Sequence, residues 1–329
     1  MFKRILLPLD GSLLAECVLP HARAMARAME AEIIVTHVLE QENEVSREGQ
    51  LDPLAWHLRK AEAETYLDEV RGRLADTPVQ VALLQGSAAT TLVEFAQERE
   101  VDLIILSSHG SSGLSGWNVG SVAQKIIYRA KTSLMIVPAY REEEMGVEEM
   151  EYRHLLVPLD GSQRAENVLP FVNALSRDED TETTLLHVCV RPEMPRRSPL
   201  TPEEAALADQ VMESNRVEAQ RYLEEVRAQL DRPAEYRVVQ EDDLIAALHQ
   251  QAESLSCDLV VLSAHGYSGD THRPFGSVVT SFIAYGSQPL LIVQDLPSVE
   301  IDRTRAEEIA EQTGKSDSGK GGRTTIHAS

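Results

Sequence analysis

A chain of 329 residues with 43% hydrophobic content is long enough to bury two cores of ordinary domain size. Its 53 acidic against 31 basic side chains leave a formal charge of −22, which repels a phosphate polyanion and argues against nucleic acid or an anionic membrane as a main partner. The three cysteines, Cys17, Cys189 and Cys257, show no Cys-x2-Cys spacing and read as reduced thiols of a cytoplasmic protein. The chain enters a strand at once with no charged-then-apolar leader, and no apolar run reaches the roughly 18 residues of a membrane span, so neither secretion nor membrane insertion is expected.

Residues 4–9 form an apolar run that stops at Asp10-Gly11-Ser12, a strand ending in a turn where Ser12 or Asp10 can cap a helix. One helix is predicted from there to about Glu30, with Leu14, Val18, His21, Met25 and Met29 along a stripe. A second strand covers 33–38, and residues 40–53 read as a polar loop. A long helix follows with Ala63, Tyr66, Leu67, Val70 and Leu74 at helical spacing. Strand three spans 79–84, a helix 90–98, strand four 101–106, a helix 119–130, and strand five 133–137 before Pro138.

The same order then returns, with strands near 154–159, 183–190, 235–240, 258–263 and 289–293. Residues 4–20 and 154–170 are identical at 11 of 17 positions. VDLIILSSHG at 101–110 is echoed by CDLVVLSAHG at 257–266. Each Ser-x-His-Gly precedes nine residues and a Gly-Ser pair, Gly120-Ser121 and Gly276-Ser277. A period this long is a whole domain, so the chain is a tandem duplication. Strands that are nearly all apolar and alternate with helices give an α/β fold with parallel sheets covered on both faces. The predicted domains are 1–140 and 153–297, with an acidic linker at 141–152 and a polar, disordered tail at 298–329.

Ligands of an open parallel sheet sit beyond the carboxyl ends of its strands, where the strand order reverses. Asp10, Val38 and Ser107 to Gly110 fall there. The segment from Gly110 to Ser121 holds Gly110, Gly113, Gly116 and Gly120, carries no charged residue, and opens directly into a helix. Glycines admit a ligand close to the backbone, and the helix start adds N–H groups at the positive end of its dipole, which together suit phosphate. A structural Gly-rich turn with Ser121 as an ordinary cap fits the same residues. Asp10 is placed to accept from a ribose or base edge. Other phosphate motifs fail: Asp10-Gly11-Ser12-Leu13 stands where a dinucleotide fingerprint belongs, and Gly314-Lys315-Ser316 has Ile309 where a P-loop needs glycine. No Gly-x-Ser-x-Gly elbow occurs, and no catalytic residue and no metal ligand set is assigned.

These residues, ILLPLDGS, a strand ending Thr36-His37-Val38, and Ser-x-His-Gly-x9-Gly-Ser, resemble the universal stress protein family in its tandem form, over roughly 1–140 and 151–295. The family signature of its ATP-binding branch begins with a glycine where this chain has Ser107 and Ser263. The resemblance implies two Rossmann-like domains, each a five-stranded parallel sheet of order 3-2-1-4-5. It implies ATP, or AMP or ADP, with Mg²⁺ as a permitted companion. Pro8, Leu9, Asp10 and Val38 would meet the nucleoside, and Ser107, Gly110, Gly113, Gly120, Ser121 and Val122 the phosphates. Pro158, Asp160, Val188, Ser263, Gly266, Gly276 and Ser277 would do so in the second copy. The family commonly dimerises through strand five, which implies an intramolecular pseudo-dimer and leaves room for a further homodimer. The expected role is a cytoplasmic, nucleotide-responsive stress module that is not an enzyme. A slow ATPase or nucleotide transferase is the alternative, but no Mg²⁺-binding acid or arginine finger stands out. An interaction protein with an empty pocket is the third reading. Copy two is expected to be the weaker site, because Asp270 enters its loop and Pro274 replaces Asn118.

Overall fold

The computed structural model describes residues 1–40, 53–110, 119–139, 150–191, 201–267 and 274–295. Gly113, Gly116, Asn118, Asp270, most of the acidic linker and the tail lie outside the described residues. The chain divides into two units, one built on Met1–Met150 and the other on Glu151–Asp270 with Phe275–Asp295.

The first unit runs β1 (Arg4–Pro8), α1 (Leu13–Glu16), α2 (Leu19–Met29), β2 (Glu32–Leu39), α3 (Pro53–Arg73), β3 (Val79–Gln85), α4 (Ala88–Glu98), β4 (Leu103–Ser107), α5 (Ser121–Arg129) and β5 (Ser133–Val137). Its strands lie in the order β3-β2-β1-β4-β5, all parallel. Moving from β1 to β3 and then back to β4 and β5 with right-handed crossovers puts α2 and α3 on one face and α4 and α5 on the other. Both faces are therefore covered, which is why Ile5, Leu6, Leu7, Leu103, Ile104 and Ile105 are fully buried although they are adjacent in sequence.

The second unit repeats the plan: β6 (His154–Pro158), α6 (Gln163–Glu166), α7 (Leu169–Leu175), β7 (Glu182–Val190), α8 (Pro202–Arg227), β8 (Glu235–Glu241), α9 (Leu244–Ser254), β9 (Leu259–Ser263), α10 (Ser277–Tyr285) and β10 (Leu290–Val293). The order is β8-β7-β6-β9-β10, again parallel.

The structure corrects three readings. The single helix expected after Ser12 is two, because Pro20 has no N–H for the Glu16 carbonyl and its ring would collide with it; Pro170 splits the second copy after Glu166 in the same way. Strand four starts at Leu103 and not at Val101, since Glu100 takes a left-handed φ of 50° and Asp102 turns its carboxylate onto the Lys3 and Arg4 N–H groups at 2.7 and 2.9 Å. Val38 lies inside β2 instead of following it.

The ladder lengths position the crevice. Pairing of β1 with β2 covers five residues, Arg4 to Pro8, whereas pairing with β4 covers two, Ile5↔Leu103 and Leu6↔Ile104. Beyond Leu6 the two strands no longer pair, and the gap opens at the carboxyl ends where the order reverses. The second unit does the same, with Leu155↔Leu259 and Leu156↔Val260 between β6 and β9.

Candidate functional site

The loop after β1 is held by its own side chains. Gly11 adopts a φ of +83°, a conformation that suits glycine. The Asp10 Oδ1 accepts from the Ser12 N–H at 3.0 Å and the Ser12 hydroxyl at 2.6 Å, while Ser12 Oγ caps α1 by accepting from Ala15 N at 3.1 Å. The other carboxylate oxygen rests against the turn after β4: a Cβ built on Gly110 would fall 2.2 Å from Asp10 Oδ2. Any larger residue there would have to displace that carboxylate. The second copy repeats each contact, with Asp160, Ser162 and Gly266, and there the Tyr267 N–H donates to Asp160 Oδ2 at 2.6 Å. A carboxylate offers about four acceptor directions, and Asp160 uses three of them internally. Asp160 thus ties one wall of the crevice to the other, and Asp10 sits in the same place against Gly110, a structural role that sequence reading did not anticipate beside the expected contact with a ribose or base.

A second wall of the crevice comes from β2. Thr36 O accepts from Leu9 N at 2.8 Å, so Thr36 faces β1, and Leu39 O, which accepts from Gly86 N at 3.2 Å, faces β3. Backbone groups alternate along a strand, so the Val38 N–H and C=O point the same way as Thr36, past the place where β1 has ended. That exposes one donor and one acceptor side by side on the half-buried Val38. Pro8 is half-buried and Leu9 buried beneath them. His37, packed between strand and helix, points its Nδ1 at Leu9 O, 2.9 Å away, and burial lowers its pKa. Tyr66 of α3 stands edge-on to His37 with ring centroids 6.3 Å apart, and burial, reinforced by the Glu16 and Asp10 carboxylates, holds its phenol protonated. His187 and Tyr222 repeat the pair.

The opposite wall is the start of α5. Gly120 is its N-cap, at φ −66° and ψ 160°, and offers no side-chain cap to the first-turn N–H groups. These groups, from Ser121 onward, carry the positive end of the helix dipole into the opening. Nothing in the backbone demands glycine at 120: its φ is ordinary, and a Cβ would lie 3.4 Å from Ser108 O. Ser121 and Val122, which follow it, are both exposed. Gly110 and Gly120 thus have different causes, one internal and one facing outward.

Ser107, where the family signature has glycine, turns its hydroxyl inward. Oγ lies 2.8 Å from the Leu14 carbonyl and 2.5 Å from that of His109, and accepts from the His109 N–H at 3.3 Å. It pins α1 to the end of β4 instead of offering itself to a ligand. Cys17, whose Sγ sits 3.5 Å from that hydroxyl, is pushed up to about 11 by burial and is a packed thiol, not a nucleophile. His109 is buried, with Nδ1 3.1 Å from Ser108 Oγ, which in turn accepts from Ala139 N at 3.0 Å. The structure therefore brings Pro8, Leu9, Asp10, Val38, Ser107, Gly110, Gly120, Ser121 and Val122 to one crevice end, and Pro158, Asp160, Val188, Ser263, Gly266, Gly276 and Ser277 to the matching end of the second unit; Gly113 lies outside the described residues. Among the described residues no group of three or more His, Cys, Asp or Glu side chains is arranged to hold a metal ion, and no helix is long and apolar enough to cross a membrane.

The sequence model described as the Universal stress protein family matches the chain twice, over residues 1–138 and 151–294. A universal stress protein of Methanocaldococcus jannaschii is 29% identical over 147 residues, 44% of this chain and 86% of that protein. One from Thermus aquaticus is 29% identical over 137 residues, 42% of this chain and 99% of that protein. Each relative thus corresponds to about one unit. In solved structures, a universal stress protein from Archaeoglobus fulgidus covers 89% of this chain and 98% of its own, with a TM-score of 0.58 at 17% identity. A protein of unknown function from Pseudomonas aeruginosa covers 94% of this chain and 98% of its own, with a TM-score of 0.60 at 13% identity. At these identities the two structures bear on the fold alone.

Proposed function

The chain belongs to the universal stress protein family, and on that premise we propose that it is a nucleotide-responsive binding module that takes ATP, or ADP or AMP, at the strand-end crevice of its first unit. The observation that carries this reading is the start of α5, where the N-cap Gly120 supplies no side-chain acceptor to the first-turn N–H groups at the positive end of the helix dipole. The paired donor and acceptor of the Val38 backbone match an adenine edge, which also presents one donor beside one acceptor. The residues fit the group on both counts. Asp10 contributes by holding Gly110 in place, and Mg²⁺ would be brought in with the nucleotide phosphates rather than by a protein ligand set. We propose a cytoplasmic location on the same family grounds.

The test is to incubate the full chain with labelled ATP, separate free nucleotide, and analyse what is retained. Retention of intact ATP is the expected result. Release of ADP would make the protein an enzyme, and no retention of ATP, ADP or AMP at millimolar concentration would leave the crevice without a nucleotide role.

A further inference from the structure

The two copies keep the same motif residues on different supports. Under the first loop the supports are neutral: Leu14, Ser108 and Ala139, with Ser108 Oγ bridging His109 and the Ala139 N–H. In the second copy all three positions change together, to Arg164, Ala264 and Asp295. Asp295, just past β10, has a fully buried side chain (0% exposed) and lies 2.8 Å from His265 Nδ1, whose side chain is 1% exposed. Arg164, from α6, brings Nε within 3.6 Å of the second Asp295 oxygen. A buried carboxylate is stable only while its partners stay in place. The triad therefore links α6, the exit of β9 and the exit of β10 through one buried carboxylate, where the first copy uses the Ser108 hydroxyl.

Three further comparisons bear on the second unit. Phe275, directly before Gly276, is buried at 5%, whereas Val119 in the first copy is only half-buried. Gly276 N still donates to Ala264 O at 2.8 Å, as Gly120 N does to Ser108 O at 2.6 Å, so the Gly-Ser pair is kept for the turn whether or not a ligand is held. Ser263 Oγ is buried and makes no hydrogen bond among the described residues, whereas Ser107 pins its neighbour helix.

We infer that the second unit is closed by this internal Arg–Asp–His triad and holds no nucleotide, so that the chain binds one nucleotide, in its first unit. This rests on the nucleotide reading above. A phosphate drawing Arg164 away would strand the Asp295 carboxylate in the interior, and a phosphate added without Arg164 would meet that carboxylate's charge. The second unit is thus a standing scaffold, and the first the one that responds to ligand.

Equilibrium dialysis of the full-length chain against labelled ATP should give one nucleotide per chain. Gly276→Val should leave that count unchanged, and Gly120→Val should weaken binding at least tenfold. Gly120→Ala, a smaller change that meets Ser108 O at 3.4 Å, should weaken it to a lesser degree and serves if the valine variant does not fold. Two nucleotides per chain, or loss with Gly276→Val alone, overturns this inference and leaves the nucleotide reading intact. A count of zero in the unaltered chain overturns that reading and this inference with it. The triad has its own readout without nucleotide: Asp295→Ala should lower the melting temperature of the ligand-free protein, and an unchanged melting temperature overturns the lock.

Discussion

His21 is a core residue with a titratable ring. It is 6% exposed, and burial lowers its pKa from 6.5 to about 4. The unfolded chain therefore takes up a proton that the folded chain refuses, and stability falls as pH drops from about 6.5 toward about 4. Phe171 stands at the matching position of the second copy. Replacing His21 by Phe should remove this component: between pH 7 and pH 5, denaturant titration should show the unaltered protein losing about 2 kcal/mol more than the variant. Equal losses would show that the ring is solvated in the fold. Gly110 makes a different kind of statement. Gly110→Ala places a methyl 2.2 Å from Asp10 Oδ2, so the carboxylate must leave its seat and release Ser12. A loss of about 1–3 kcal/mol in chemical denaturation is expected, together with weaker ATP retention. Gly120→Ala, by contrast, should cost little stability, because its backbone angles suit any residue and its Cβ has room.

At the scale of elements, the carboxyl and amino ends of the sheet are built for different purposes. At the amino ends, Asp102 ties β4 to the start of β1 through the Lys3 and Arg4 N–H groups, and Asp258 does the same with Arg153 and His154 at 2.7 and 3.1 Å. At the carboxyl ends, pairing between β1 and β4 stops after two residues and leaves an opening. The first arrangement holds the strands together so that the second can stay apart. Asp102→Ala should destabilise the protein by about 1–3 kcal/mol in denaturant titration, since it leaves two strand N–H groups without their charged acceptor. ATP retention at a temperature where the variant is folded should be unchanged, and a parallel loss of binding would show that the amino end also shapes the crevice.

For the whole molecule, the formal charge of −22 is a standing self-repulsion. Moderate salt should raise the melting temperature of the ligand-free protein by screening it, and an unchanged melting temperature would show the acids to be paired locally. Nucleotide should act on top of this. ATP at 100 times its dissociation constant adds about 2.7 kcal/mol, which for a unit of this size is a shift of several degrees, at roughly 2–4 °C per kcal/mol. Calorimetry that shows no shift with any adenine nucleotide would remove the ligand from the account.

The sequence by itself determined the duplication, the α/β class and the strands, because a strand buried on both faces needs an unbroken apolar run and RILLP and LIILS have no other use for one. It also marked Gly110, Gly120 and Ser121 as belonging together, since spacing along the chain survives folding. It did not separate the reasons for those glycines. Gly110 is crowded by a carboxylate 100 residues away in the sequence, whereas Gly120 has an ordinary φ and room for a Cβ 3.4 Å from Ser108 O; only tertiary packing distinguishes the two. The inward turn of Ser107, the acceptor directions spent by Asp160 and the orientation of the Val38 backbone likewise depend on where β1 ends against β2 and β4. The Arg164–Asp295–His265 triad was invisible for the same reason: 131 positions separate its ends, and only the crossovers of the sheet bring these side chains around one buried carboxylate.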